Sequence, residues 1–188
     1  GVTALQALIT HGHLKEGESV LINGSSGGVG HFAVQIAKVY GANVTAVCSA
    51  KNADFVKALG ADYVIPYDQE NIHQHKGKYD LIFDVHGNLS FKDYTRMGQR
   101  GVVVGLTTMK HMMSVMMNGA FSKFPLKQCT ADTNTKDLST LATLIQTGAI
   151  KVNIEKTYSY KEIPAAIGYI EAFRTKGKVA MVWDNLIG

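Results

Sequence analysis

Residues 19–49 read SVLINGSSGGVGHFAVQIAKVYGANVTAVCS, and this stretch decides the fold. Val20-Leu21-Ile22 is a short apolar run rich in branched side chains, the pattern of a strand buried in a parallel sheet. Gly24-Ser25-Ser26-Gly27-Gly28-Val29-Gly30 follows as a glycine-rich turn. Beyond it Phe32, Ala33, Ile36, Ala37 and Tyr40 recur at helical spacing, with His31, Gln35 and Lys38 expected on the opposite, polar face. Gly41 stands where a helix ends, and Val44-Thr45-Ala46-Val47-Cys48 is a second strand. Strand, turn, helix and strand of this length make a βαβ unit.

A glycine turn between strand and helix offers free backbone N–H groups and the positive end of a helix dipole to a phosphate. Gly27 and Gly28 have no Cβ to hold a ligand off the backbone, and Gly30 lets the helix approach the strand closely. Ser25 holds the first glycine position of the G-x-G-x-x-G pattern, so the match is imperfect. The strand before it and the amphipathic helix after it give it weight. The bland alternative is a glycine turn without a ligand. The second strand ends in Cys48-Ser49-Ala50-Lys51-Asn52, and the next acid along the chain is Asp54. A dinucleotide fold that takes NAD places an acid at this strand end, on the ribose 2′-hydroxyl. The hydroxyl of Ser49 and the charge of Lys51 suit a 2′-phosphate instead, which points to NADPH. The plainer alternative has Ser49 capping a helix and Lys51 in solvent, and both readings fit one geometry.

The rest of the chain repeats the alternation. Val2 to His11 reads as a helix, Asp54 to Leu59 as another closed by Gly60, and Tyr63-Val64-Ile65 as a third strand before Pro66. Tyr67 to Lys78 is a polar loop. Strands are expected over residues 80–85, 101–106 and 124–130, and helices over 89–97, 109–121 and 135–147. In the last of these Leu138, Leu141, Ala142 and Ile145 are expected to face inward. Six strands alternating with helices predict an α/β Rossmann fold, a doubly wound parallel sheet of order 3-2-1-4-5-6 with helices on both faces. After Ile150 the pattern changes. A capping box at Ser159 or Pro164 opens a helix with Ile163, Ala166, Ile167, Ile170 and Phe173 on one face, and Val179 to Trp183 is a last strand. The expected division is a cofactor domain over 1–150 and a C-terminal segment over 151–188 that packs on something else.

Composition bounds the function. The chain has 188 residues, 46% of them hydrophobic, enough for one ordered domain with a sizeable core. No apolar run reaches a membrane span, so no membrane partner is expected. The net charge of +4 is scattered without a basic block, which argues against nucleic acid as a partner. Two cysteines, Cys48 and Cys129, suit a reducing compartment, and a cytoplasmic location is the expectation. His11-x-His13 and His73-x-His75 lack a nearby third ligand and read as solvated pairs, so no metal site is expected. Met109, Met112, Met113, Met116 and Met117 at helical spacing read first as packing, then as a dimer contact. Asp84, at the end of a buried strand, reads as structural. No tyrosine has a lysine four residues on, and no residue stands out as a proton donor; the catalytic residues are left unassigned.

With these residues in place the chain resembles the coenzyme-binding part of the medium-chain dehydrogenase/reductase superfamily, in its zinc-independent NADPH:quinone oxidoreductase branch. The residues that carry the resemblance are Ser26-Gly27-Gly28-Val29-Gly30, Ala33 to Lys38, Leu59-Gly60-Ala61-Asp62, Tyr79 to Asp84, Ile145 to Gly148 and Lys176 to Val179. It implies that Ser49 and Lys51 hold the 2′-phosphate and that Tyr67 lies against the adenosine end. It places Val85-His86 and Gly105-Leu106-Thr107 near the nicotinamide ribose and ring, and Lys178 near the cofactor. The same resemblance implies an N-terminal GroES-like catalytic domain that this chain lacks, so the chain by itself is not expected to turn over. It also implies a homodimer through the strand near Phe124–Thr130.

The leading reading is therefore the NADPH-binding domain of an oxidoreductase that passes hydride to a small molecule of the quinone or activated alkene/carbonyl class. The alternative is a non-catalytic NADPH-binding or sensing module. A methyltransferase, another doubly wound sheet, is disfavoured by the absent acid at the second strand end.

Overall fold

The computed structural model describes residues 1–105, 113, 117, 122–171 and 175–183. Helix α1 (Val2–Leu5) runs on into a wider turn over Gln6–His11. Then come β1 (Ser19–Asn23), α2 (Gly30–Val39), β2 (Asn43–Cys48), α3 (Ala53–Ala58), β3 (Tyr63–Pro66) and β4 (Tyr79–Asp84). They are followed by α4 (Phe91–Met97), β5 (Gly98–Val103), β6 (Leu126–Gln128) and α5 (Thr135–Gln146). The chain closes with β7 (Ile154–Ser159), α6 (Ile163–Glu171) and β8 (Lys178–Val182). The six-stranded sheet has the order β3-β2-β1-β4-β5-β6, all parallel, as the alternation predicted.

Period-two alternation explains why both faces of this sheet are dry. In β1, Val20 and Ile22 join the core under α1 and α2, while Leu21 joins the core on the other face. In β4, Leu81 and Phe83 point to the first face and Ile82 to the second. Helices α1, α2, α3 and α5 contribute to the core on the first face and α4 to that on the second, and the parallel strands bring their carboxyl ends to one rim.

Several local expectations are corrected. Both His31 and Gln35 are buried rather than on a solvated face of α2. Gln35 is covered because its amide clamps the chain beyond α5: Nε2 donates to Lys151 O at 3.0 Å and Oε1 accepts Lys151 N–H at 2.7 Å. In α5, Leu141 is buried and Leu144 half-buried, whereas Leu138, Ala142 and Ile145 are exposed. The helix is rotated because Gln6 holds its start, donating to Asp132 O and to Asp137 Oδ2, both at 2.6 Å. Strands β4 and β5 begin earlier than expected and β6 is shorter. The expected helix over 109–121 lies outside the described residues except Met113 and Met117, which are exposed rather than packed in the core.

In the C-terminal segment the sequence pattern predicts a helix and one strand. The segment forms its own two-stranded parallel sheet, β7 beside β8, that does not join the larger one. Strand β7 is rich in polar residues (IEKTYS), so hydropathy hid it. The Ser159 capping box is present, with Glu162 accepting Ser159 N–H at 3.0 Å. On α6 only Ala166 is buried; Ile163, Ile167 and Ile170 are exposed, and Phe173 lies outside the described residues. Among the described residues, no helix is long and apolar enough to cross a membrane.

The two histidines of His73-x-His75 each meet a carboxylate: His73 is exposed as expected, and His75 is half-buried. His73 Nδ1 lies 2.8 Å from Asp93 and His75 Nδ1 3.0 Å from Glu70. Asp93 is buried and also accepts from the Ser90 hydroxyl at 2.6 Å and from Arg96 at 2.8 Å, within the capping box that starts α4. Burial alone would raise its carboxyl, but the bonds from Ser90, Arg96 and His73 outweigh it and hold the group down at about 2. A carboxyl depressed in the fold stabilises above its unfolded value and loses that contribution as pH falls through the folded one. We expect Asp93 to contribute roughly 2 kcal/mol at neutral pH, lost between about pH 4 and pH 2. Thermal melts at pH 7, 4 and 2 check it: Asp93→Asn should be less stable at pH 7 and should lose much of the acid sensitivity. An Asp93→Asn protein as acid-sensitive as the original would refute it.

Candidate functional site

The glycine turn leaves β1 at Asn23 and bends at Gly24, whose φ of +88° is a conformation that favours glycine. Its far side is fixed from β2: the N–H groups of Gly24 and Ser25 and the Ser25 hydroxyl all donate to Val47 O, at 3.1, 3.0 and 2.9 Å. Serine in place of the first glycine is thus a buried brace, which is why the imperfect motif still forms the turn. Gly30 meets a harder limit. A Cβ there would stand 2.1 Å from Gly24 O and 2.6 Å from Ser25 Cα, so the start of α2 presses on the turn itself.

The inner side of the turn is open. Helix α2 has no side-chain cap at Val29 and no acid in its first turn. Among the described residues the N–H groups of Ser26, Gly28 and Val29 have no hydrogen-bond partner. Three such donors at the positive end of a ten-residue helix form an anion cradle. The C-terminal sheet completes it: Gly177 N–H donates to Ser26 O at 2.9 Å, and a Cβ on Gly28 would lie 3.0 Å from Lys178 Nζ. The lysine that only the family resemblance suggested therefore has its ammonium beside the glycine turn.

His31 supports the cradle from beneath. Its Nδ1 lies 2.9 Å from Gly27 O, which can only accept, so Nδ1 carries the proton and Nε2 is left buried and unpaired. Burial first, then the charge of Lys178, holds the imidazole below its ordinary value, in the neutral form.

The rim continues on both sides. Ser49 is buried at the end of β2, without a side-chain capping bond, while Lys51 and Tyr67 are exposed beyond β2 and β3. Asn52, missed from sequence, ties this side to the turn through Nδ2, which donates to Ser26 Oγ at 3.0 Å. On the other side Asp84 closes β4. Its carboxylate accepts from Asn23 Nδ2, Gly87 N, Leu89 N and the Tyr94 hydroxyl at 2.8, 2.7, 3.1 and 2.9 Å. Burial and then the charge of Asp84 push the Tyr94 phenol up. The structural reading of Asp84 holds: it shapes the turn of Val85, His86 and Gly87. A Cβ on Gly24 would lie 3.5 Å from both Val85 Cβ and His86 N, and one on Gly105 would lie 3.3 Å from Val85 O. Val85 and His86 thus lie beside the glycine turn and Gly105 beside Val85; Leu106 and Thr107 lie outside the described residues. Cys48 and Cys129 are buried, and burial raises both thiols, Cys48 to about 11.

The sequence pattern of the family described as zinc-binding dehydrogenase matches residues 59–181. The chain belongs to that family. It is 32% identical over 170 residues to the chloroplast envelope quinone oxidoreductase homolog of Arabidopsis thaliana, covering 84% of this chain and 52% of that protein. It is 31% identical over 216 residues to the mitochondrial NAD(P)H oxidoreductase RTN4IP1 of Bos taurus, covering 96% and 52%. The solved quinone oxidoreductase of Coxiella burnetii shares the fold with a TM-score of 0.85 and 28% identity, over 97% of this chain and 58% of that one. These matches bear out the resemblance to quinone oxidoreductases of the medium-chain superfamily. The chain spans about half the length of the curated relatives it matches. The family's name implies zinc, yet among the described residues no three His, Cys, Asp or Glu side chains form a donor set.

Proposed function

We propose that this chain is the NADPH-binding domain of an oxidoreductase that passes hydride from NADPH to a quinone or an activated alkene or carbonyl compound. One observation carries the reading: an uncapped helix start with unpartnered N–H groups at Ser26, Gly28 and Val29, facing the Lys178 ammonium. When bound, the dihydronicotinamide supplies the hydride from its C4. The protein's part is to hold and orient. The glycine turn and Lys178 neutralise the pyrophosphate. Ser49, Lys51 and Tyr67 receive the adenosine end, Ser49 and Lys51 taking the 2′-phosphate. Val85, His86 and Gly105, with Leu106 and Thr107, set the nicotinamide at the carboxyl ends of β4 and β5. The exposed Ile163, Ile167 and Ile170 of α6, with Met181 and Trp183, would pack on an N-terminal domain of the whole protein. A homodimer through β6, the last strand in the order of the larger sheet, over residues 124–130, belongs to the same reading.

The test uses the full-length protein, titrated with NADPH and NADH and assayed against quinones and enones. Expected are turnover, tighter binding of NADPH than NADH, and a preference narrowed about tenfold or more by Lys51→Glu. Equal affinities, or a preference untouched by Lys51→Glu, would overturn the NADPH assignment. Binding without turnover on any substrate of this class would make the protein a non-catalytic NADPH-binding module.

A further inference from the structure

The acid that residues 48–52 lack is supplied in space by the next strand. Strands β2 and β3 run parallel with Cys48 opposite Pro66, so Ala50 and Asp68, each two residues further on, come side by side. Tyr67 N–H donates to Cys48 O at 2.9 Å, carrying the ladder one step past its last pair. Asp68 Oδ1 then accepts Ala50 N–H at 2.8 Å. The contact is thus built by strand register. The carboxylate occupies an N–H at the opening of the helical turn Ala50–Asn52, where Ser49 and Lys51 would receive a 2′-phosphate. The same seam holds a second feature: Asn52 is 5% exposed, and while its Nδ2 serves Ser26, its Oδ1 is buried without a protein partner. A buried acceptor without a donor is costly, and a ligand hydroxyl in this seam could supply that donor.

We propose that Asp68 is a specificity-determining residue of the cofactor site, opposing a 2′-phosphate and accepting a 2′-hydroxyl. The proposal rests on the NADPH reading and deepens it. Lys51 draws the phosphate in, and Asp68 offsets that charge. A phosphate that takes Ala50 N–H must turn a like charge away. Asp68 is exposed, so its side chain can be turned toward water, which keeps the effect on the order of tenfold. The pair sets a modest preference for NADPH rather than a steep one.

Asp68→Asn in the full-length protein isolates the charge, because the amide oxygen still accepts Ala50 N–H and keeps the turn capped. Fluorescence titrations with NADPH and NADH should show NADPH binding about tenfold tighter and NADH binding more weakly than in the original protein. The gain should shrink at high salt, since the contact is exposed. Unchanged affinities, or a shift of both cofactors in one direction, would overturn the proposal and leave Asp68 as a cap of the turn. Loss of both cofactors from every variant and from the original protein would instead overturn the cofactor reading itself.

Discussion

Alanine at Gly30 is expected to abolish cofactor binding and to destabilise the chain by about 3 kcal/mol. The added Cβ would stand 2.1 Å from Gly24 O, 2.6 Å from Ser25 Cα and 2.7 Å from Ser25 C. All three are backbone atoms, so no side chain can swing aside to make room. The turn cannot yield cheaply either, because Val47 O holds it through three donors. Either α2 lifts from β1 or the turn leaves its place, and both outcomes scatter the N–H groups of Ser26, Gly28 and Val29. We expect NADPH affinity to fall by at least about 100-fold, measured by titration beside an equilibrium unfolding curve. Gly27→Ala is the control. Among the described residues its Cβ would meet only Gly24 O, at 3.8 Å, so the turn has room for it. That variant should keep its stability, and any loss of NADPH affinity would then report space needed by the ligand. A Gly30→Ala protein with ordinary stability and affinity would show that the turn is not seated against the helix as described.

The order of the six strands was legible because most of them are short apolar runs, and the amphipathic helix between β1 and β2 marks a parallel crossover. What escaped the sequence depends on contacts between distant segments. His31 and Gln35 look like a solvated helix face, yet the chain at Lys151 returns to bond Gln35 and bury that face. Leu138 and Ile145 look like core, but the hold of Gln6 on Asp132 and Asp137 turns them outward. The site divides in the same way. The glycine turn and the strand end at Ser49 could be found by spacing. Asn52 and Asp68 could not, because one acts through a bond to Ser26 and the other through the register of β2 with β3. The acid absent from the end of β2 in sequence stands beside it in space, on Asp68.

Removing the Asp84 carboxylate should be the most damaging single change away from the turn. Asp84 is fully buried and accepts four hydrogen bonds, from Asn23, Gly87, Leu89 and Tyr94, which is about the capacity of one carboxylate. Asp84→Ala would leave four donors facing a cavity, and the expected cost is about 3–5 kcal/mol. Asp84→Asn keeps one acceptor but turns an NH2 toward donors, so it should cost roughly 2 kcal/mol. Tyr94→Phe removes one donor together with its demand for a partner and should cost about 1 kcal/mol. The ranking, read from denaturant unfolding, is the test, because a Tyr94→Phe loss as large as that of Asp84→Ala would mean that the carboxylate is not the hub. The damage should also reach the cofactor. Val85 and His86 are held beside Gly24 and Gly105 by the turn that Asp84 closes. Even under conditions where Asp84→Asn is fully folded, its NADPH affinity should therefore fall, whereas that of Tyr94→Phe should not. Asp84 is fully buried with its oxygens taken by protein donors, so it is a positioning residue, and the difference between those two titrations separates that role from simple loss of stability.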